Sequence, residues 1–414
     1  MLPLDFAANI EDNPPSHMEY DSRTHSSYFN KDYVAAELLT IGSKLTNPVC
    51  WCSSYVHRII SPLDPGVGDC RGSFLEEFLA RGIYTLKFSL LSPLSVPLGG
   101  AGVGFRYVAG CLLSKGFCFL KGNAEPLRHL QDRSLSIMSW NICGLAGSMD
   151  RSHGGVKDWA YRFDRIEALI KKANPDILCL QEAHDTDLID KLYKTLKDTY
   201  AYFYIHIGPK TIGSNSGNFI ASKYRIRDFQ FAAFKDKTGS NTWQQKGFVK
   251  FTVVANQAPK LSVVATHFQH GEIIDEKANI IGVRKGQLSQ ILESTEASIN
   301  KLPILLVGDL NIDEDSQEYE DSYLSTHFTH GYLDKEPTST DQLIKITWDK
   351  ELIANGNFDQ KIDYISFLNK DPISGEKLYH PKLSVTLLKV YDVDEPYLAL
   401  SDHHALLGEI QFRK

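Results

Sequence analysis

Residues 304–311 read Ile-Leu-Leu-Val-Gly-Asp-Leu-Asn, an apolar run that leads into a glycine, an acid and an amide. Four uninterrupted apolar residues predict a short strand that is buried on both faces. Gly308, Asp309 and Asn311 all favour turns, so an ordinary turn would explain the end of this strand. A functional site is the alternative, because layered α/β proteins place their reactive side chains where strands end.

The same arrangement, an apolar strand with polar residues at one end, recurs along the chain. The other examples are 134–142 with Asn141, 177–180 with Glu182, 261–267 with His267, 362–367 with Asp363, and 405–410 preceded by Asp402 and His403. Each residue alone has an ordinary explanation, such as a helix cap, a hydrogen-bonded core histidine or a polar loop. Six such positions in one region are improbable by chance, and together they predict one shared site.

The rest of this region alternates between strand and helix patterns. Further strands are predicted over 202–207, 218–222, 247–254 and 383–390, and helices over 163–170, 191–197 and 283–299. Many strands with helices between them predict an α/β fold, a two-layered sheet core flanked by helices.

Length and composition indicate a folded protein with more than one part. Single hydrophobic cores usually stop growing near 250–300 residues, so 414 residues predict one large domain plus an appendage. The chain is 43% hydrophobic and 23% charged, as ordinary folded proteins are. Its net charge of −7 weakens a nucleic-acid function, which usually needs a basic surface.

The seven cysteines are an odd number without paired zinc-type spacings. They predict a reducing environment and no disulfide framework. The first residues lack the basic start and apolar run of a secretory signal peptide. We therefore expect an intracellular location, although export by a route that needs no signal remains open.

The N-terminal third has a different character. Residues 1–40 are polar and mixed, which predicts a loop, whereas 88–105 form an uncharged run. Pro93, Pro97 and the glycines at 99–102 interrupt that run. We divide the chain into a mixed region (1–82), a hydrophobic hairpin (83–130) and a catalytic domain (131–414). A re-entrant or interfacial hairpin over 83–122 would associate with a membrane; the alternative is a hairpin buried on the main domain.

The polar residue types suit the hydrolysis of a phosphodiester. Mg²⁺ prefers one or two carboxylates completed by water and phosphate, a role that Glu182 helped by the Asn141 amide could fill. A histidine held by a carboxylate can deprotonate water near neutral pH. A second histidine and an asparagine amide can stabilise the extra charge on the phosphate.

In their order along the chain, these motifs resemble the endonuclease/exonuclease/phosphatase superfamily over about 134–414. The pieces that carry the likeness are Asn141, Gln181-Glu182, Ser216-Gly217-Asn218, Thr266-His267, Gly308-Asp309-Leu310-Asn311, Asp363-Tyr364 and Ser401-Asp402-His403-His404. Thr266 to Gln269, followed by Val283 to Leu288, is similar to the neutral sphingomyelinase branch. The resemblance implies a four-layer α-β-β-α sandwich of two packed mixed β-sheets flanked by helices, with an N-terminal hydrophobic appendage.

The resemblance also implies a role for each residue. Glu182 would be the principal Mg²⁺ ligand, with Asn141 beside it and Asp402 in the metal and water network; Mn²⁺ could substitute. His403 would be the general base, held by Asp363. Asp309 and Asn311 would orient the water and bind phosphate, His267 would face the phosphate and assist the leaving group, and Asn218 would contact its edge. One position departs from the branch: Asn241 replaces an aspartate five residues before the Lys246-Gly247 pair.

The implied reaction is hydrolysis of sphingomyelin to ceramide and phosphocholine, or of a related lysophospholipid, at a membrane surface reached through 83–122. A nuclease or an inositol-polyphosphate phosphatase of the same superfamily is the first alternative. A non-catalytic membrane-bound scaffold is the second, against which the intact set of polar residues argues. Nucleic acid is not expected as a partner, and the sequence leaves the oligomeric state open.

Overall fold

The computed structural model describes residues 31–60, 74–113, 115–145, 158–271, 277–299, 301–332, 336–339, 360–390 and 399–413. Two β-sheets form its centre. The first has seven strands in the order β1 (Cys118–Lys121), β4 (Tyr202–Ile205), β5 (Phe219–Ser222), β3 (Ile177–Ala183), β2 (Ser134–Gly144), β13 (Ala405–Gln411), β12 (Lys382–Leu388). The second has six in the order β10 (Phe328–His330), β11 (Asp363–Leu368), β9 (Ile304–Asp309), β8 (Ala258–His267), β7 (Gly247–Ala255), β6 (Arg225–Ala233).

The two sheets pack face to face, because alternate residues of their strands are apolar on the inner side. Ile137 and Cys179 of the first sheet lie in the same fully buried cluster as Phe251, Val263 and Val307 of the second. Neighbouring strands β2 and β3 run parallel, as do β8 and β9, whereas the other pairs are antiparallel. Both sheets are therefore mixed.

Helices cover the two outer faces. They are α1 (Lys31–Ile60), α2 (Phe74–Leu112), α3 (Trp159–Ala173), α4 (Thr186–Leu196), α5 (Lys277–Thr295), α6 (Gln317–Glu320) and α7 (Tyr323–His327). Helices α1 to α4 contribute to the core outside the first sheet, and α5 packs on the second. The predicted four-layer α/β sandwich is confirmed.

Most elements that the sequence predicts are present, with ends that differ by a few residues. Helix α3 ends at Ala173. The next residue, Asn174, has a left-handed φ of 46° and is followed by Pro175. Three strands were missed: β1, β6 and β10. The charged residues of β6 hide its alternation, and a bulge near Asp228 shifts its register. Strands β1 and β10 are too short, at four and three residues, to show a period.

The N-terminal region differs from its prediction in two ways. The loop predicted over 1–40 lies partly outside the described residues, and from Lys31 onward the chain is helix α1, because Ala35, Ala36 and Leu39 pack on the domain at helical spacing. The prediction of a hairpin over 83–130 was wrong as well, because residues 74–112 form one helix. Strand β1 pairs with β4, so the first sheet begins ahead of the predicted boundary at 131.

Packing explains why Pro93 and Pro97 do not break α2. Helix α1 lies against α2, and the two backbones meet at Gly42 and Gly102. A Cβ on Gly102 would lie 2.5 Å from the carbonyl oxygen of Gly42, so only glycine permits this approach. The contact stabilises a continuous helix where the prolines alone would favour a kink.

The segment Gly82–Leu112 of α2 is long and apolar enough, by length and composition, to cross a membrane. Only 17% of its most apolar stretch is buried. Leu86, Leu90, Leu94 and Val96 are 58–76% exposed, so these side chains are not buried on the main domain. The last turn is different, because Ala109 and the following Leu113 are buried in the core.

Candidate active site

Strand register alone brings three of the predicted residues into one row. In the second sheet Asp309 pairs with His267 on one side and with Asp363 on the other. In the first sheet Asn141 pairs with Gln181, the neighbour of Glu182. Because the two sheets pack face to face, both groups meet at the same edge of the sandwich.

Unusual backbone conformations turn these side chains toward one another. Glu182 and Asn311 have φ values of 56° and 52°, in the left-handed region that non-glycine residues rarely adopt. Gly308 has a φ of 139°, and a Cβ there would lie 1.9 Å from the carbonyl oxygen of Thr266. Strain of this kind persists where packing overdetermines the backbone, and it concentrates at functional sites.

The Asn141 amide joins carboxylates from both sheets. Its Nδ2 donates to Glu182 Oε1 at 3.1 Å and to Asp309 Oδ2 at 3.0 Å, while its Oδ1 accepts from the backbone N–H of Cys143 at 3.0 Å. In this arrangement Asn141 orients the two carboxylates through its N–H groups. Burial raises the pKa of Asp309 to about 7, against the opposing effect of His403.

His403 and Asp363 form the second part of the site. His403 Nδ1 lies 2.8 Å from Asp363 Oδ2, and its Nε2 lies 3.7 Å from Asp309 Oδ2. Burial lowers the pKa of His403, but the carboxylates of Asp363 and Asp309 outweigh it and hold that pKa well above its usual range. The bond to Asp363 directs Nε2 toward the carboxylate pair, and a cation held by that pair would lower the pKa of His403 and free Nε2 to act as a general base.

The loop that carries His403 is fixed to the first sheet. The Ser401 hydroxyl donates to the carbonyl of Asn141 at 2.6 Å, and the Trp140 indole N–H donates to the carbonyl of His403 at 3.0 Å. Asp402 Oδ1 lies 3.1 Å from the Ser401 hydroxyl oxygen, and the Asp402 side chain lies beside Cys143. Among the described residues, the structure does not bring the Asp402 carboxylate into hydrogen-bond contact with Glu182 or Asp309.

The two other asparagines of the predicted site, Asn311 and Asn218, differ in their contacts. The backbone N–H of Asn311 donates to Asp309 Oδ1 at 2.9 Å, and its side chain reaches the carbonyl of Phe268 at 3.4 Å. Asn218 is buried, and its Nδ2 lies 3.3 Å from the Ser216 hydroxyl. Its Oδ1 has no hydrogen-bond partner among the described residues.

Lys246 is a site residue whose role the sequence did not reveal. It is 1% exposed, and its Nζ lies 2.9 Å from His267 Nε2 and 2.6 Å from the carbonyl oxygen of Phe268. Burial lowers the pKa of Lys246 to about 8, although Glu182 and Asp309 oppose the shift. Burial, followed by the Lys246 charge, lowers the pKa of His267 well below its usual range. His267 is therefore neutral and accepts from Lys246.

His184 was missed as well. It is buried beside the site, and its Nδ1 lies 3.2 Å from Asn215 Oδ1. Asn241, the departure from the family pattern, is fully buried, and its Nδ2 lies 2.8 Å from His270 Nδ1. The signal for Lys246 in the sequence was the Lys246-Gly247 pair, which the resemblance to the sphingomyelinase branch includes.

The donor set fits a hard divalent cation. Carboxylate oxygens are the ligands that Mg²⁺ prefers, and Glu182 and Asp309 are held together by one amide. The Glu182 side chain keeps 21% of its surface exposed, so it can be reached from solvent. Asp309, Asp363 and His403 also offer ligand atoms within 4.8 Å of one another.

Comparison with known proteins yields a consistent family. The model of the endonuclease/exonuclease/phosphatase family matches residues 138–403. A phospholipase C of Staphylococcus aureus is 25% identical over 207 residues, which cover 46% of this chain and 61% of the relative. The chain thus spans under two thirds of that relative's length. A sphingomyelinase C of Listeria ivanovii is 23% identical over 271 residues, 60% of this chain and 79% of the relative.

A nucleic-acid enzyme shares a shorter segment. A 5'-tyrosyl-DNA phosphodiesterase of Caenorhabditis briggsae is 42% identical over 80 residues, 19% of each chain. Among solved structures, the beta toxin of Staphylococcus aureus with bound magnesium ions matches with a TM-score of 0.54 and 23% identity. That match covers 66% of this chain and 99% of the toxin, and it supports the fold.

Proposed function

The chain belongs to the endonuclease/exonuclease/phosphatase family, and from that membership we propose that it is a metal-dependent phosphodiesterase of the phospholipase C type. Its proposed substrate is sphingomyelin, cleaved to ceramide and phosphocholine, with a lysophospholipid as the closest variant. The observation that carries the proposal is the meeting of the Glu182–Asn141–Asp309 group with the His403–Asp363 pair.

Glu182 and Asp309 are the proposed holders of the divalent cation, and Asn141 orients both. Such a cation supplies charge neutralisation at the phosphate oxygens. We propose Mg²⁺, since the donors are carboxylates; Mn²⁺ has similar preferences. From the family resemblance, we propose Asp402 as a further member of this metal network. Its contact with the network runs through the Ser401 hydroxyl, which also bonds to the carbonyl of Asn141.

The proposed reaction is attack of a water molecule on phosphorus. His403 Nε2 takes one proton from the water, while Asp363 holds Nδ1 and stabilises the imidazolium that results. The new bond joins the water oxygen to phosphorus, and the bond from phosphorus to the ceramide oxygen breaks. The released alkoxide takes up a proton from solvent and leaves as ceramide, and the His403 imidazolium returns its proton to solvent.

The phosphate requires hydrogen-bond donors for the charge that develops on it. The proposed donors are the Lys246 ammonium and the amides of Asn218 and Asn311. In the structure the Lys246 ammonium donates to His267 and interacts electrostatically with the Glu182 and Asp309 carboxylates. We therefore propose that His267 holds Lys246 toward the phosphate. This role is in addition to the proposed contact of His267 with the leaving group.

Two observations support a lipid as the substrate. Relatives named for phospholipase C and sphingomyelinase C match this chain over 207 and 271 residues. Helix α2 also presents exposed apolar side chains and is long enough to enter a bilayer. We propose that the protein associates with a membrane through the part of α2 that lies within the predicted segment 83–122. The proposed location is the intracellular face of the membrane, with secretion by a route that needs no signal as the alternative.

A nuclease or tyrosyl-DNA phosphodiesterase activity is the second candidate, favoured by the 42% identity over 80 residues. The net charge of −7 opposes it, since strong binding to nucleic acid draws on many cationic contacts.

A substrate panel tests the choice. The full chain, purified in detergent, is assayed with Mg²⁺ on vesicles containing sphingomyelin or lysophosphatidylcholine and on 5'-tyrosyl and single-stranded DNA. We expect release of phosphocholine from sphingomyelin, and no release from a Glu182→Gln variant. Cleavage of DNA without any release of phosphocholine would replace the lipid proposal with the nuclease.

A further inference from the structure

Two loops next to the site carry large exposed apolar side chains. Ile212 is 59% exposed in the loop that precedes Asn218, and Trp243 is 64% exposed in the turn that precedes Lys246. We call the stretches 208–217 and 239–245 the paired loops. Exposed side chains of this size beside a functional site indicate a surface that binds an apolar partner.

The paired loops are fastened to each other. The N–H of Ser214 donates to the carbonyl of Trp243, and the N–H of Gln245 donates to the carbonyl of Ser214, both at 3.0 Å. Between them Gly213 has a φ of 107°, and a Cβ there would lie 2.0 Å from the Trp243 carbonyl oxygen. Ile212 and Trp243 are therefore held as one unit.

The same unit is attached to helix α2. The Arg106 guanidinium donates to the carbonyl oxygens of Lys210, at 2.5 Å, and Gly213. Arg106 lies where α2 passes from its exposed apolar stretch to the end that is buried against the domain. The paired loops thus lie at the level where an inserted α2 would leave the membrane.

The side chains at this level are those that favour the boundary between headgroups and acyl chains. Phe105 and Tyr107 of α2 are 38% and 45% exposed. Tryptophan and tyrosine are enriched at this boundary, and lysine and arginine extend from it to lipid phosphates. Lys210 lies in the paired loops and donates to the backbone carbonyl of Thr242. Lys237 lies beside them and donates to the backbone carbonyl of Gln244.

We infer that Ile212 and Trp243 are a second lipid contact, which enters the headgroup region of the same bilayer as α2 and holds the rim of the site against it. The inference rests on the proposed function and names the surface that receives the membrane substrate. Because the paired loops lead directly into Asn218 and Lys246, this contact would place a lipid phosphate beside the proposed donors.

The test uses the full chain and a double variant, Ile212→Ser with Trp243→Ser. Its matched control is Ile373→Ser with Tyr161→Ser, which removes two side chains of similar exposure, 77% and 81%, outside the site and the paired loops. Each protein is assayed with Mg²⁺ on sphingomyelin-containing vesicles and on a short-chain sphingomyelin below its micelle concentration.

We expect the double variant to lose at least about 10-fold in activity on vesicles, through a higher KM, and to keep wild-type activity on the monomeric substrate; the control variant should match the wild type on both. Equal activity on vesicles would overturn the inference. An equal loss on both substrates would also overturn it, because the loops would then act on the shape of the site.

A second measurement does not depend on turnover. Vesicles with brominated lipids should quench part of the tryptophan fluorescence of the wild type, and Trp243→Phe should remove that part. Unchanged quenching in Trp243→Phe would overturn the inference. If the wild type hydrolyses neither lipid while Trp243 is still quenched, the proposed function fails and the lipid contact stands.

Discussion

Among individual residues, His403 and Asp363 carry the clearest chemical argument. The 2.8 Å contact between His403 Nδ1 and Asp363 Oδ2 leaves Nε2 as the atom that can take a proton from water. Asp363→Asn removes the charge that stabilises the imidazolium and permits the wrong tautomer. We expect turnover to fall about 10²–10⁴-fold.

The measurement is kcat at saturating Mg²⁺ and substrate, with Asp371→Asn as the control, since Asp371 lies in a turn beyond the other end of strand β11. A kcat of Asp363→Asn equal to that of the wild type would remove Asp363 from the mechanism.

Lys246 supplies a second test at this scale. Lys246→Met keeps the length of the side chain but removes the ammonium next to the proposed phosphate position. Loss of one such donor costs on the order of 10²–10³ in turnover, so kcat should fall by about that factor and KM should change much less.

The control for Lys246→Met is Lys250→Met on strand β7, which begins at the residue after Lys246; the Lys250 ammonium donates to the carbonyl of Ser294 instead. If the loss of activity in both variants only followed their fall in melting temperature, the role of Lys246 would be structural and not catalytic.

The sequence predicted some site residues and missed others for a physical reason. Glu182, Asp309 and His403 stand out because each interrupts or borders an apolar strand. Lys246 and His184 precede or follow strands in polar surroundings, where such residues are usually exposed. Their burial depends on how two sheets and a loop come together, which no local pattern contains.

At the scale of elements, the contact between α1 and α2 depends on two glycines. A side chain at Gly102 would lie 2.5 Å from the Gly42 carbonyl oxygen and 2.8 Å from Thr46 Cγ2. Gly102→Val should therefore separate the helices and destabilise the protein by about 1–3 kcal/mol, the usual cost of overpacking.

Gly100→Val is the control within the same helix, because no atom lies within 4 Å of a Cβ there. Urea denaturation followed by circular dichroism gives the free energy of unfolding of each variant. Equal stabilities of the two variants would show that the helices do not depend on this contact.

The elements divide by the strength of their local signals. The long apolar strands of both sheets and the helices α3, α4 and α5 could be predicted, because their periods extend over several residues. The continuity of α2 could not be predicted, because proline and glycine locally favour a break. The packing against α1, which compensates for them, is not visible in the local sequence. Strand β6 was hidden by its charged residues and by the bulge near Asp228.

At the scale of the whole molecule, the proposed reaction needs a divalent cation at Glu182 and Asp309, which the two different sheets supply. Removal of metal by a chelator should abolish activity, and added Mg²⁺ should restore it. Glu182→Gln keeps the shape of the side chain but lowers its charge, so it should weaken Mg²⁺ binding by at least about 10-fold.

Calorimetric titration of the metal-free protein with Mg²⁺ measures this affinity without any substrate. Asp187→Asn, in a surface ion pair with Lys44, is a control of the same charge change. Equal Mg²⁺ affinity in the wild type and in Glu182→Gln would place the cation elsewhere.

Hydrolysis of sphingomyelin vesicles in water enriched in ¹⁸O, with Mg²⁺, followed by phosphorus NMR, tests the proposed attack of water. We expect the wild type to release phosphocholine with one ¹⁸O bound to phosphorus, shown by an isotope shift, and His403→Ala to release none. Release of phosphocholine without ¹⁸O on phosphorus, or full activity in His403→Ala, would contradict the attack of a water molecule activated by His403.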